Sequence, residues 1–164
     1  MKENELRIGN YIIKGNGAIG QIYIIDPIND SYGLSSEGSD IVMRYNFEQL
    51  KPIPLTEEWL LKFGFKERDD EGYRDIRIRN KLYLAIDLKK WEAIIGYKIE
   101  WTRPIKIRYV HQLQNLYFAL TGEELESLKS QLAEINKATM KDLTDSDEAK
   151  EMGAPFDEPG HASG

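Results

Sequence analysis

Two stretches of this chain match patterns that support chemistry in other proteins, and the first is rich in glycine. Gly15-Asn-Gly-Ala-Ile-Gly20 has the G-x-G-x-x-G spacing of a dinucleotide-binding loop. Such a loop needs a helix directly after the glycines, so that the helix N-terminus can hold the pyrophosphate. The following residues, Gln21-Ile-Tyr-Ile-Ile25, favour a strand instead. We therefore interpret the pattern as a hairpin turn and not as a nucleotide site.

The second pattern is a set of charged residues on two neighbouring predicted strands: Asp75, Asp87 and Lys89. Some metal-dependent nucleases use such a set to hold Mg²⁺ and activate water. The spacing is also common in charged hairpins whose side chains face solvent or pair across strands, which is the interpretation we favour. The chain has two histidines, His111 and His161, and no cysteine. This excludes a histidine-rich metal site, a thiolate zinc site and a cysteine nucleophile. We expect no enzymatic activity, no cofactor and no metal.

Composition places the chain in the class of ordinary globular proteins. It has 164 residues, of which 41% are hydrophobic and 30% are charged. The absence of cysteine fits a reducing cytosol. The first residues contain no apolar run, and no segment is long enough to span a bilayer. We therefore expect a cytoplasmic protein with no signal peptide and no membrane contact.

The net charge of −6 is unevenly distributed along the chain. Between Arg74 and Arg108 there are 10 basic residues and 4 acidic ones, which gives a local charge of +6. From Lys137 onward there are 3 lysines and 7 acids, which gives −4. The local field decides which partners a surface attracts, so the basic middle section can bind nucleic acid despite the negative total.

Strand patterns dominate residues 1–53, for which we predict a small β-barrel-like module. The pattern predicts strands over Leu6–Ile13 and Ile19–Ile25, a loop over Asp26–Ser39 and a strand over Ile41–Phe47, while residues 50–53 extend the sheet. Several short strands with turn-rich links are typical of an SH3-like barrel.

Residues 54–136 predict an α+β module, and residues 137–164 a disordered acidic tail. A linking helix covers Pro54–Gly64, with Thr56 as its N-cap. The antiparallel sheet contains Tyr73–Arg79 and Leu82–Leu88 joined at Asn80–Lys81, with further strands at 93–95, 97–101 and 105–108. Two C-terminal helices follow, Val110–Leu120 and a second that begins at the capping-box pair Thr121 and Glu124. The predicted fold class is α+β.

The first C-terminal helix has two distinct faces. Its apolar stripe should pack on the core and consists of Val110, Leu113, Leu116, Tyr117 and Leu120. The other face carries His111, Gln114, Asn115 and Phe118. Either Phe118 is buried under a neighbouring element, or this face binds a partner with Phe118 as its anchor.

The basic section offers a second candidate surface, because it interleaves charged and aromatic residues. Such a surface neutralises phosphates while its aromatic rings stack on bases. A sheet with a charged outer face and aromatics in its core gives the same pattern. The residues of this section are Arg74, Arg77, Arg79, Lys81, Tyr83, Lys89, Lys90, Trp91, Tyr97, Lys98, Trp101 and Arg103. For nucleic-acid contact we select Arg74, Arg77, Arg79, Lys81 and Tyr83.

Three blocks of sequence, Glu5–Tyr11, Lys51–Phe65 and Tyr109–Leu125, carry a family resemblance. They resemble an uncharacterised family of small proteins from Bacteroidetes genomes, prophages and phages. The resemblance implies a mobile-element accessory protein in the bacterial cytosol, and it transfers no site residues. We therefore expect a non-enzymatic module that binds a host or phage protein, such as a defence or replication component. Nucleic-acid binding by the basic sheet is the alternative.

Overall fold

The computed structural model describes residues 1–36, 39, 41–68, 72–79, 82–97 and 100–127. These residues form two antiparallel sheets and two α-helices, which confirms the predicted α+β class. Among them, no helix is long and apolar enough to cross a membrane.

The first sheet has four strands in the order β1-β2-β3-β4. Their bounds are β1 Tyr11–Ile13, β2 Ile19–Asp26, β3 Ser31–Ser35 and β4 Met43–Asn46. The glycine-rich segment between β1 and β2 forms the predicted hairpin turn. The N–H of Lys14 donates to the carbonyl of Ala18 at 2.8 Å, and Gly17 has a φ of +83°.

Two predictions in this region were wrong. Leu6–Asn10 does not continue the first strand, because the chain turns at Gly9, whose φ is +91°. The side-chain oxygen of Asn10 accepts from the N–H of Arg7 at 2.9 Å and closes that turn. The predicted loop Asp26–Ser39 contains β3, in which Tyr32 and Leu34 are buried. Packing against β2 and β4 makes a strand of a sequence whose glycine and serine content is typical of a loop.

Helix α1, Glu57–Lys62, links the two sheets and is shorter than the predicted helix. Thr56 is its N-cap and accepts from the N–H of Trp59 at 3.4 Å, while Gly64 has a φ of +82° just after the helix. Both predicted signals are therefore confirmed. A 3-10 turn at Phe47–Gln49 precedes the helix, and Lys51 pairs with Ile13 in an isolated bridge.

The second sheet runs in the order β10-β8-β7-β6-β5, with β9 also paired to β8. Tyr73–Arg79 and Leu82 are confirmed as strand residues, but the predicted turn residues Asn80 and Lys81 lie outside the described part of the chain. The bounds are β5 Lys66–Arg68, β6 Tyr73–Arg79, β7 Leu82–Asp87, β8 Glu92–Tyr97, β9 Glu100–Trp101 and β10 Ile105–Lys106.

Strand β1 has a buried residue on each of its faces. Ile12 packs in an apolar cluster with Ile22 and Leu34 of the first sheet. Tyr11 belongs to a larger cluster that α1, the second sheet and the C-terminal helix share. Its ring centroid is 5.5 Å from that of Trp59. The division of the chain at residues 53 and 54 stays a prediction, although β1 contributes to both cores.

Helix α2, Val110–Thr121, matches the predicted first C-terminal helix and ends at Gly122, whose φ is +75°. A second helix does not begin at Thr121. The Thr121 hydroxyl donates to the carbonyl of Tyr117 at 2.8 Å and accepts from the N–H of Glu123 at 2.9 Å. Residues 122–127 are not helical. The rest of the predicted helix, 128–136, and the predicted tail, 137–164, lie outside the described residues.

Candidate functional site

The polar face of α2 contacts the N-terminal segment of its own chain. Gln114 is completely buried. Its side-chain oxygen accepts from the N–H of Tyr11 at 2.9 Å, and its amide nitrogen donates to the carbonyls of Gly9 at 3.0 Å and Leu125 at 3.4 Å. Gln114 thus provides hydrogen bonds to backbone that a short turn cannot satisfy internally.

Asn115 and His111 extend this contact along the helix. Asn115 accepts from the side-chain amide of Asn10 at 2.9 Å and donates to the carbonyl of Glu5 at 2.6 Å. His111 is completely buried, with its ring stacked on Tyr109 at 5.7 Å. Its Nε2 lies 3.5 Å from the Glu5 carboxylate, which is too long for a good hydrogen bond. Burial lowers the pKa of His111, and the nearby carboxylate opposes that shift.

Phe118 is the member of the predicted face that stays exposed, at 38%. The Arg7 guanidinium lies 3.8 Å from its ring centroid and also forms a two-pronged ion pair with Glu124. The predicted partner-binding face is therefore corrected. His111, Gln114 and Asn115 hold the N-terminal segment against α2, because only backbone and side chains of that segment meet their polar atoms. Partner contact through Phe118 stays a prediction.

The predicted nucleic-acid residues fall in different environments. Arg74 is neutralised, since it pairs with Glu57 of α1 and with Glu67 at 3.3 Å, and its side chain is only 12% exposed. Arg77 and Tyr83 are register partners on β6 and β7. The side chain of Arg79 and the whole of Lys81 lie outside the description. The structure brings together only Arg77 and Tyr83 of the predicted five.

The carboxylates considered for metal chemistry have structural partners. Asp87 accepts from the N–H groups of Lys89 and Lys90 at 2.8 and 3.1 Å and thereby caps the turn after β7. Asp75 lies 3.8 Å from the Arg68 side chain. Among the described residues, no three His, Asp or Glu side chains group as metal ligands do. The favoured interpretation of these residues as turn and cross-strand contacts fits this arrangement.

A basic pocket of about 370 Å³ lies at the edge of the second sheet, where β10 pairs with β8. Three cations and one indole ring supply most of its surface. Its lining residues are Leu55, Lys90, Trp91, Lys106 and Arg108. We call this set the basic pocket. The sequence predicted a basic section here, but did not show which of its cations would meet.

Backbone hydrogen bonds fix the elements around the basic pocket. Trp91 has a φ of +55°, a left-handed conformation that is uncommon for a bulky residue. Its N–H donates to the carbonyl of Asp87 at 2.8 Å, and its carbonyl accepts from the N–H of Ile107 at 2.9 Å. The N–H of Leu55 donates to the carbonyl of Arg108 at 2.9 Å. The surrounding structure therefore maintains a strained residue at the pocket, as is frequent at binding sites.

The charge of the basic pocket is not compensated locally. Lys90, Lys106 and Arg108 are exposed, and within the described ranges none of them forms an ion pair with a carboxylate. Uncompensated cations grouped around an aromatic ring attract anions that also carry a planar group.

Comparisons with known proteins add no assignment. No protein family model, curated protein or solved structure matches this chain.

Proposed function

We propose that this protein is a non-enzymatic nucleic-acid-binding module that acts through its basic pocket. The observation that carries the proposal is the grouping of Lys90, Lys106 and Arg108 around Trp91 without carboxylate partners in the described structure. This is the alternative that the basic section suggested, moved from the predicted residues to the edge of the sheet.

The pocket has the two components of a sequence-tolerant nucleic-acid site. Its cations neutralise phosphates and release counterions, which makes affinity fall as salt rises. Trp91 supplies a flat surface beside those cations, on which a base or sugar can rest. Three phosphate contacts on a single strand correspond to a slope of about −2 in a plot of log affinity against log salt.

The test measures fluorescence anisotropy of a labelled 12-nucleotide single strand at several salt concentrations. We expect Lys106→Glu to weaken binding at least tenfold at low salt and to flatten the salt slope by about one phosphate. Lys51→Glu is the matched control, because Lys51 is also exposed but lies outside the basic pocket. Equal effects of the two variants, or no binding by the unmodified protein at low salt, would refute the proposal.

The protein-binding role remains a second candidate, now placed on the first sheet. Apolar side chains are exposed there beside the edge strand β4: Ile24 at 39%, Ile41 at 72%, Val42 at 41% and Met43 at 57%. Exposed apolar residues near an open strand edge favour protein contact. Loss of a host protein from a pull-down with Val42→Lys, but not with Phe118→Ala, would support this surface over α2.

The wider context is also a proposal. We infer an SH3-like arrangement for the first sheet, supported by the 3-10 turn Phe47–Gln49 and the following bridge from Lys51 to Ile13 of β1. The family resemblance supports an accessory protein of phage or prophage origin in the bacterial cytosol, where host and phage nucleic acids are both accessible.

A further inference from the structure

A second pocket, of about 310 Å³, lies on the face of the second sheet opposite its apolar core. Its floor contains Ala85 and Ile94, which are register partners on β7 and β8. Its other lining residues are Arg68, Tyr73, Trp101 and Thr102. We call this set the aromatic pocket. It differs in its lining from the basic pocket and shares no residue with it.

The ring of Trp101 is placed over this face by the absence of a side chain at Gly96. The two residues are register partners on β9 and β8. A Cβ atom at Gly96 would come within 2.5 to 2.7 Å of three ring atoms of Trp101, which no real contact allows. The indole therefore lies flat against the backbone of β8, and yet it remains 42% exposed. A large apolar ring held in a fixed position with open surface is characteristic of a binding platform.

The polar groups around the aromatic pocket are mainly hydrogen-bond donors. The Arg68 guanidinium lies 4.4 Å from the Trp101 ring centroid and has only a long contact of 3.8 Å with Asp75. The Tyr73 hydroxyl and the indole N–H of Trp101 have no hydrogen-bond partner in the described part of the chain. The pocket thus combines an apolar floor and an aromatic wall with donors for the acceptors of a planar ring.

We propose that the aromatic pocket receives one unpaired base of a single-stranded nucleic acid. This inference rests on the proposed function and names the form of nucleic acid that the protein prefers. An unpaired base presents the ring nitrogens and carbonyl oxygens that these donors can meet, whereas a duplex engages those groups in pairing. Trp91 of the basic pocket and Ile94 of the aromatic pocket are three residues apart, or about 10 Å along an extended strand. A short single strand can therefore contact both pockets.

The experiment compares a labelled 12-nucleotide single strand with a duplex of the same sequence. We expect the unmodified protein to prefer the single strand. Trp101→Ala and Ala85→Val, which removes free space without changing charge, should each weaken single-strand binding at least fivefold. Duplex binding and the salt slope should not change. Tyr23→Ala is the control, since Tyr23 is 52% exposed on the first sheet.

The two proposals fail in distinguishable ways. If the protein binds the single strand with the expected salt slope, but neither Trp101→Ala nor Ala85→Val alters its preference over duplex, the aromatic pocket is not a base site. If the unmodified protein binds neither oligonucleotide at low salt, the proposed function fails and the inference fails with it. Thermal melts of the variants separate loss of binding from loss of fold, and Ala85→Val retains the Trp101 ring if Trp101→Ala unfolds.

Discussion

Replacement of Gln114 by alanine is expected to destabilise the protein rather than to abolish partner contact. The side chain is fully buried and makes three hydrogen bonds to backbone. Loss of a buried acceptor costs the donor about 1–3 kcal/mol, and this applies to the N–H of Tyr11. The carbonyl of Gly9 also accepts from Gln21 at 3.1 Å, and the bond to Leu125 is long, so these two add little. The truncated packing adds to this, giving about 2–4 kcal/mol in total.

Urea denaturation followed by tryptophan fluorescence measures this change. The midpoint should fall while the slope stays constant, because the variant exposes the same surface when it unfolds. Gln112→Ala is the matched control on the same helix. The Gln112 side chain accepts one exposed hydrogen bond, from the N–H of Arg108 at 3.0 Å, and its loss should cost about 0.5–1.5 kcal/mol.

One result would refute the reasoning about this helix face. If Gln114→Ala destabilises the protein no more than Gln112→Ala does, then Gln114 does not hold the N-terminal turn against α2. A stable Gln114→Ala variant that loses a protein partner would restore the interpretation of this face as a binding surface.

Three further predictions concern the same structure. Burial lowers the pKa of His111 below its ordinary 6.5, so the unfolded state takes up more protons as pH falls below about 6.5. Stability is then complete above that pH and decreases below it in urea melts, and His111→Gln, unlike His161→Gln, should reduce the dependence. Glu124→Gln should cost about 1 kcal/mol by weakening the pair with Arg7, whose partly exposed charges are screened, and 1 M salt should remove most of the difference. Thr56→Ala should lower the free energy of unfolding by about 1 kcal/mol through loss of the α1 cap, and no change in the urea midpoint would contradict that role.

Local sequence signals predicted part of the fold correctly. The cap of α1 at Thr56, its end at Gly64 and the span of α2 depend on a few neighbouring residues, which the sequence displays directly. The alternation in β6 and β7 also depends on neighbours, and it placed Ile76 and Leu84 on the core face.

Elements that depend on distant packing were not predicted. Strand β3 has the composition of a loop, and its Gly33 is needed because side chains from two other strands cross over it. A Cβ there would come within 2.9 Å of Val42 and 3.0 Å of Ile24. The capping-box prediction at Thr121 failed for a related reason. Glu124 pairs with Arg7, 117 residues away in sequence, and no local pattern reveals such a partner.

The helix wheel separated the two faces of α2 correctly but could not identify what the polar face contacts. A polar stripe looks the same whether it meets solvent, a partner or a distant segment of its own chain. Asn115 and Gln114 meet residues that lie more than 100 positions earlier. Their burial follows from the turn at Gly9, which leaves backbone groups in need of partners.

Charge in the second sheet illustrates the same limit for a functional site. The sequence gives a local charge of +6 between Arg74 and Arg108, but this total does not say which cations remain available. Arg74 does not, because Glu57 lies before the basic section in sequence and yet pairs with it in space. Lys106 is brought to the basic pocket by the pairing of Ile105 with Ala93. The nucleic-acid proposal therefore depends on unpaired charge, which only strand register determines, and a variant that shifts β10 should weaken binding as strongly as the loss of a cation.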